Sequence, residues 1–154
     1  MSKFCFLLGH RDAPDYLTDK LVSAINDIHR LHGIEDFIVG NRGNFDRIAK
    51  HAFLFSKRSN PKIKLYLLTA YHPCERKTEI DSSFDGILYP EGMEFVPKKL
   101  AIIKANQKMI ETASAFILYV NHPGNSSTML EKIVQRTKKH PLPIINVAID
   151  NFNQ

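Results

Sequence analysis

Short apolar runs of strand length recur along this chain, separated by stretches with helical apolar spacing. That alternation narrows the choice of fold more than any other feature. Phe4–Leu8 is a continuous apolar run. Leu17, Leu21, Val22, Ile25 and Ile28 then fall at helical spacing, and Gly33 stands where a helix takes a left-handed final residue. Asp36–Val39 reads as a second strand, followed by Gly40-Asn41-Arg42-Gly43. Phe45, Ile48, Ala49, Ala52 and Phe53 mark a second helix, with Asn44 as its N-cap. Lys62–Ala70 is a third strand, and residues 71–83 show no clean period and read as a loop. Gly86–Tyr89 is a short fourth strand. Ile102, Ile103, Met109, Ile110 and Ala113 mark a third helix entered after Pro97, and Ala115–Val120 is a fifth strand. Met129, Leu130, Ile133 and Val134 mark a fourth helix that stops at Lys138-Lys139-His140-Pro141. Ile144–Ile149 is a sixth strand.

Strands that are apolar along their whole length are covered on both faces, which is the condition of a parallel sheet packed between helices. The expected fold is therefore α/β: a three-layer Rossmann-like domain with a mostly parallel sheet of five or six strands. A length of 154 residues suits one domain spanning 1–154. With 44% hydrophobic and 24% charged residues, the chain has enough apolar surface to escape disorder. No apolar run approaches the ~18–20 residues of a membrane span. Phe4–Gly9 is followed at once by His10-Arg11-Asp12, which does not fit a signal peptide. Two cysteines, Cys5 and Cys74, make neither a disulfide framework nor a zinc quartet, so a cytoplasmic location is expected.

In a parallel sheet all strand C-termini share one edge, and ligands bind in the crevice there. The residues just after the strands are Gly9-His10-Arg11-Asp12, Gly40-Asn41-Arg42-Gly43-Asn44, Tyr71-His72-Pro73, Pro90-Glu91-Gly92 and the stretch from Asn121 to Thr128. Glycines, hydroxyls, asparagines, two arginines and three of the seven histidines gather on that edge. The opposite edge carries Gly33-Ile34-Glu35, Ser59-Asn60-Pro61 and His140-Pro141, which read as plain turns.

The richest of these segments runs from His122 through Pro123, Gly124, Asn125, Ser126, Ser127 and Thr128 into a helix. Free N–H groups and the helix dipole favour an anion at such a terminus. The same residues satisfy a structural need, because Thr128-Met129-Leu130-Glu131 fits a capping box. Both readings stand at this point. The pattern G-x-x-x-x-G-K-[ST] is missing, as is G-x-G-x-x-G after the first strand, so neither a P-loop nor a standard NAD site is expected. His10-Arg11 reads either as a ligand contact or as a solvated turn with Asp12 as a helix cap, and Arg42 either as a phosphate fork or as an exposed loop charge. His72-Pro73-Cys74-Glu75 matches no zinc ligand spacing, Cys74 has no evident base, and no metal site is expected. Lys98, Lys99, Lys104 and Lys108 read as a solvated helix face.

Several stretches resemble the SLOG superfamily, Rossmann-like proteins related to the DNA-processing protein A fold and to the group once called lysine decarboxylases. Leu8-Gly9-His10-Arg11-Asp12 is similar to the "TGHR" opening, and Phe37 to Asp46 to the glycine turn "VGN-x-G-x-FD". Tyr89-Pro90-Glu91-Gly92 with Val96-Pro97 resembles the "YPEG…VP" of short bacterial members, and Lys104-Ala105-Asn106 their "KRN". The resemblance covers nearly the whole chain in order. It implies a pocket for a nucleotide or nucleotide-derived ligand lined by Gly9, His10, Arg11, Gly40, Asn41, Arg42, Asn106, His122 and Gly124–Thr128. The cytokinin-activating branch cleaves N-glycosidic bonds of nucleoside monophosphates with P-G-G-x-G-T-x-x-E and an arginine. Here Pro123, Gly124, Thr128 and Glu131 match, Asn125 and Ser127 replace glycines, and the arginine position falls at Ala105 beside Lys104.

The expected function is thus nucleotide-type binding in a sensor-like or accessory role, with no cofactor implied. The alternative is an N-glycosidic hydrolase or deoxyribosyltransferase using Glu131, with Lys104 in the arginine's place. The expected partner is a nucleotide-like small molecule, and no membrane. The resemblance also allows a homo-oligomer. Net charge is +5, a mild bias that suits a phosphate-bearing ligand. The absence of an aromatic-basic stripe counts against nucleic acid as a partner.

Overall fold

The structure, a computed structural model, describes residues 3–72, 82–122 and 125–148, the last stretch without the side chains of 125–127. Six described strands, β1 (Phe4–Gly9), β2 (Asp36–Val39), β3 (Lys64–Leu68), β4 (Gly86–Leu88), β5 (Ala115–Tyr119) and β6 (Ile144–Asn146), form one sheet. Every pairing among them is parallel, and the order is β4-β3-β2-β1-β5-β6. Four described helices accompany them: α1 (Thr18–His32), α2 (Asn44–Lys57), α3 (Ala101–Thr112) and α4 (Asn125–Lys139). The chain steps outward from β1 to β4, then crosses back to β5 on the other flank of β1. This is the Rossmann-like arrangement expected, and its order reverses between β1 and β5.

Alternation along β1 explains the two cores. Cys5 and Leu7 face one side, where Leu21, Ile25, Phe45 and Phe53 of α1 and α2 cover them. Phe4 and Phe6 face the other, beneath Met109, Ile110 and Ile133 of α3 and α4. Burying each large apolar side chain contributes about 1.5–3 kcal/mol against the ordering cost of the chain. Phe6, Phe37, Phe45, Phe53 and Phe116 are all almost wholly buried. A strand with both faces covered cannot alternate polar and apolar residues, which is why the sequence shows continuous runs.

The helix ends follow the expected chemistry in two cases, Gly33 after α1 and Lys138-Lys139 where α4 stops, and depart from it in three. Gly33 adopts φ 65° and its N–H bonds to His29 O at 3.0 Å, closing α1. Asn44 is not an N-cap. It is the first residue of α2, Gly43 precedes it, and its side chain instead donates to Asp15 Oδ1 at 2.8 Å. Asp12 does not cap α1, which starts at Thr18 after a 3-10 turn at Asp15–Leu17. Thr128 does not cap α4 either, because that helix already begins at Asn125. Most of the 71–83 loop lies outside the described residues. No described helix is long and apolar enough to cross a membrane.

Candidate ligand site at the C-terminal sheet edge

A cavity of about 410 Å³ opens at the C-terminal edge, between the ends of β1, β2 and β3 and the start of α3. Phe6, Leu8, Leu68, Ala70, Ile102 and Ala105 give it apolar walls. Arg11, Arg42 and Lys99 stand around its mouth, with Asp46 and Asn106 as its other polar groups. Cations therefore outnumber the carboxylate among its lining residues.

Two glycines bring the lining elements together. A Cβ on Gly9 would sit 2.5 Å from the Phe45 ring, and one on Gly43 would sit 2.7 Å from the Arg11 Cα. Only hydrogen fits at these contacts. The turn after β1 therefore packs directly on the start of α2, and Asn44 N–H donates to Arg11 O at 2.9 Å. Arg47 reinforces the join with a 2.6 Å ion pair to Asp15. The backbone carrying Arg11 is held at the mouth by these contacts.

Asp46 sits in the first turn of α2, where its carboxylate accepts the Arg42 backbone N–H at 2.8 Å. Burial pushes its carboxyl up to about 6, against the lowering effect of that N–H and of the Arg42 and Arg11 charges. The Arg42 guanidinium lies 5.6 Å from the centre of the Tyr71 ring.

A second cluster stands on the other flank of β1. His10 is 5% exposed, and its Nε2 accepts the backbone N–H of Asn121 at 3.2 Å and of His122 at 3.4 Å. Its ring stacks on His122 with centroids 3.6 Å apart and planes 12° from parallel. His122 Nε2 lies 3.3 Å from Asp12 Oδ1. Burial, then the neighbouring His122, lowers the pKa of His10, with Asp12 opposing. The His122 hydrogen bond holds Asp12 below the usual carboxylate range. These three residues bring potential metal donors within 4.8 Å of one another. They do not fit an ion as they stand. Lone pairs lie in the ring planes, so two nearly parallel rings do not aim at one point. His10 Nε2 is also already engaged by two amides.

The expected site residues thus divide. Gly9, Arg11, Gly40, Arg42 and Asn106 meet at the cavity. His10 and His122 meet beside it. Asn41 lines a smaller pocket of about 160 Å³ with Lys50 and Phe84. Thr128 is exposed on α4, while Gly124 and the side chains of Asn125, Ser126 and Ser127 lie outside the described residues. So do Pro73, Cys74 and Glu75. Glu131 and Lys104 are exposed and do not line the cavity, whereas Ala105, the arginine position of the resemblance, is buried in its wall. Lys99 is exposed, as expected of it, and also lines the cavity from the 3-10 turn Lys98–Leu100. Asp46 and Phe45 escaped the sequence reading as site residues. Their signal was the approach of α2 to Gly9, which only the fold reveals.

No protein-family model and no curated protein matches the chain. Among solved structures, the fold is similar to that of DNA processing protein A from Helicobacter pylori, with a TM-score of 0.58 and 18% identity. The match covers 93% of this chain and 65% of that one. That structure describes the protein's single-stranded DNA binding mode. The expectation against a nucleic-acid partner, which rested on charge and pattern along the sequence, does not stand beside this finding. Basic and aromatic residues that never form a stripe in sequence are gathered onto one edge by the fold. The likeness establishes the Rossmann-like architecture of this chain.

Proposed function

We propose that the chain binds a nucleotide or nucleotide-derived ligand at the C-terminal edge, in a sensor-like or accessory role. The observation that carries the reading is the cavity: an apolar slot with Arg11, Arg42 and Lys99 at its mouth. Its volume lies within the ~300–1,000 Å³ usual for small-ligand sites. A base fits the slot between β1 and α3, and the cations suit the phosphate. The ordered SLOG-like stretches and the fold of a DNA-processing protein support membership of that superfamily and this class of ligand.

A nucleotide within a single strand offers the same chemistry, and one observation favours it specifically. Phe95 is 85% exposed and Tyr16 77% exposed, in the 3-10 turns that follow β4 and β1 at this same edge. Exposed aromatic rings beside cations are the parts from which single-strand sites are built, and each stacked base is worth about 1–3 kcal/mol.

The test is calorimetry with nucleoside monophosphates, ADP-ribose and a short oligodeoxynucleotide, on wild type and an Arg11→Ala/Arg42→Ala variant. Loss of charged hydrogen bonds of about 1.5–3 kcal/mol each weakens binding at least ten-fold. A preference for the oligonucleotide that depends on Phe95 identifies the single strand. Identical flat responses of both proteins across the panel remove the proposal.

A further inference from the structure

The cluster beside the cavity has a mechanical consequence. His10 Nε2 can accept the Asn121 and His122 amides only while that nitrogen carries no proton, which fixes the proton of the neutral ring on Nδ1. Those two bonds join the end of β1 to the turn after β5, across more than a hundred residues of sequence. A proton on Nε2 replaces the acceptor with a third donor facing two others. It also places a second positive ring 3.6 Å from His122.

The surroundings decide which ring charges first. From the turn after β1, Asp12 bonds to His122 Nε2 and so favours charge on His122. From the turn after β5, charged His122 then opposes a proton on His10. From β5, the Tyr119 ring stands perpendicular to that of His10, with centroids 6.0 Å apart. From α4, no acidic residue stands in the first turn, and the helix's positive end offers a cation no help. Among the described residues no carboxylate bonds to His10, and Asp12 opposes the two lowering effects only from a distance.

We infer that His10 is a proton-operated latch on the turn after β5: neutral, it holds that turn against β1, and protonated, it releases it. The latch holds Asn121 and His122, the latter three residues before α4 begins, and stands independently of the proposed ligand reading.

The test follows the histidine rings and the Asn121 and His122 amides by NMR on the ligand-free chain, from about pH 8 to about pH 5, where histidines titrate. His10 is expected to titrate below an ordinary histidine, with both amides moving at the same midpoint. In His10→Gln, which keeps an acceptor that does not titrate, the amides lose that midpoint. In His122→Ala the His10 midpoint moves up. Amides that stay still through the His10 midpoint, or a His10 that never titrates in this range, overturn the latch. With no ligand present, failure here leaves the binding proposal to its own calorimetric test.

Discussion

Gly43→Ala isolates the join on which the candidate site depends. Gly43 has φ −166° and ψ −172°, extended backbone that alanine adopts freely, so no conformational penalty arises. The cost is steric. The new methyl would lie 2.7 Å from Arg11 Cα and 2.7 Å from its Cγ, where carbon atoms ordinarily rest ~3.5–4.0 Å apart. Arg11 Cγ can swing aside, but Cα is backbone and moves only if the whole turn recoils. Overpacking of this kind costs about 1–3 kcal/mol. Recoil also stretches the 2.9 Å bond from Asn44 N–H to Arg11 O, adding about 0.5–1.5 kcal/mol. The expected total is about 2–4 kcal/mol. With a urea slope of about 2 kcal/mol/M, the unfolding midpoint falls by about 1–2 M. Gly33→Ala is the control, because φ is 65° there and a Cβ meets nothing within 4 Å. It carries conformational strain alone, about 1 kcal/mol. A Gly43→Ala midpoint at or above that of Gly33→Ala would refute the steric argument.

Two further outcomes are expected. The Asp46 carboxyl is raised from 3.8 to about 6, so the folded chain prefers it protonated. The cost of ionising it in the fold is small below about pH 4, grows between about pH 4 and about pH 6, and is full above that. The shift sets a ceiling of about 3 kcal/mol, which partial contact with water reduces to about 1–2. Asp46→Asn should therefore stabilise the chain by that amount near pH 7.5 and leave it unchanged near pH 4, measured by urea unfolding. Equal effects at both pH values contradict the assignment. Separately, Arg136 Nη1 donates to Ile110 O and to Ala113 O, each at 2.7 Å, satisfying carbonyls at the end of α3. Arg136→Met should cost about 2–3 kcal/mol and speed amide exchange in the last turn of α3. Unchanged exchange there sinks the role.

The sheet was legible because its physics is local. Each of Phe4–Leu8, Asp36–Val39 and Ala115–Val120 declares burial on both faces, and the observed strands coincide with these runs to within a residue at either end. Gly33 was legible for the same reason, since a left-handed residue follows a helix wherever the helix lies. Asn44 and Thr128 misled because capping preference is also met by residues that bond elsewhere. Asn44 spends its amide on Asp15, and α4 begins three residues before Thr128. Lys99 and Asp46 were illegible as site residues, because their roles come from the return of α3 over β1 and the approach of α2 to Gly9. The pairing of His10 with His122 spans a separation that no window of sequence contains. Parallel topology predicted their common edge, and only the β1–β5 register, Gly9 opposite Tyr119, brings them into contact.

The central place of β1 gives the edge one more property. Its exit turn serves both sites: Arg11 faces the cavity on the β2 side, while His10 and Asp12 face the β5 side. A charge bound at Arg11 therefore acts from the residue next to the buried imidazole, on the scale of the ~8–10 Å over which salt screens. An anion in the cavity favours a proton on His10, and linkage makes the effect mutual. Saturating inorganic phosphate should then raise the His10 midpoint in wild type, read by NMR, and should fail to do so in Arg11→Ala/Arg42→Ala. A ten-fold gain in phosphate affinity on protonation corresponds to a rise of about one pH unit. If the midpoint ignores phosphate while calorimetry shows phosphate bound, the two flanks of β1 act independently, and the shared turn is a matter of packing alone.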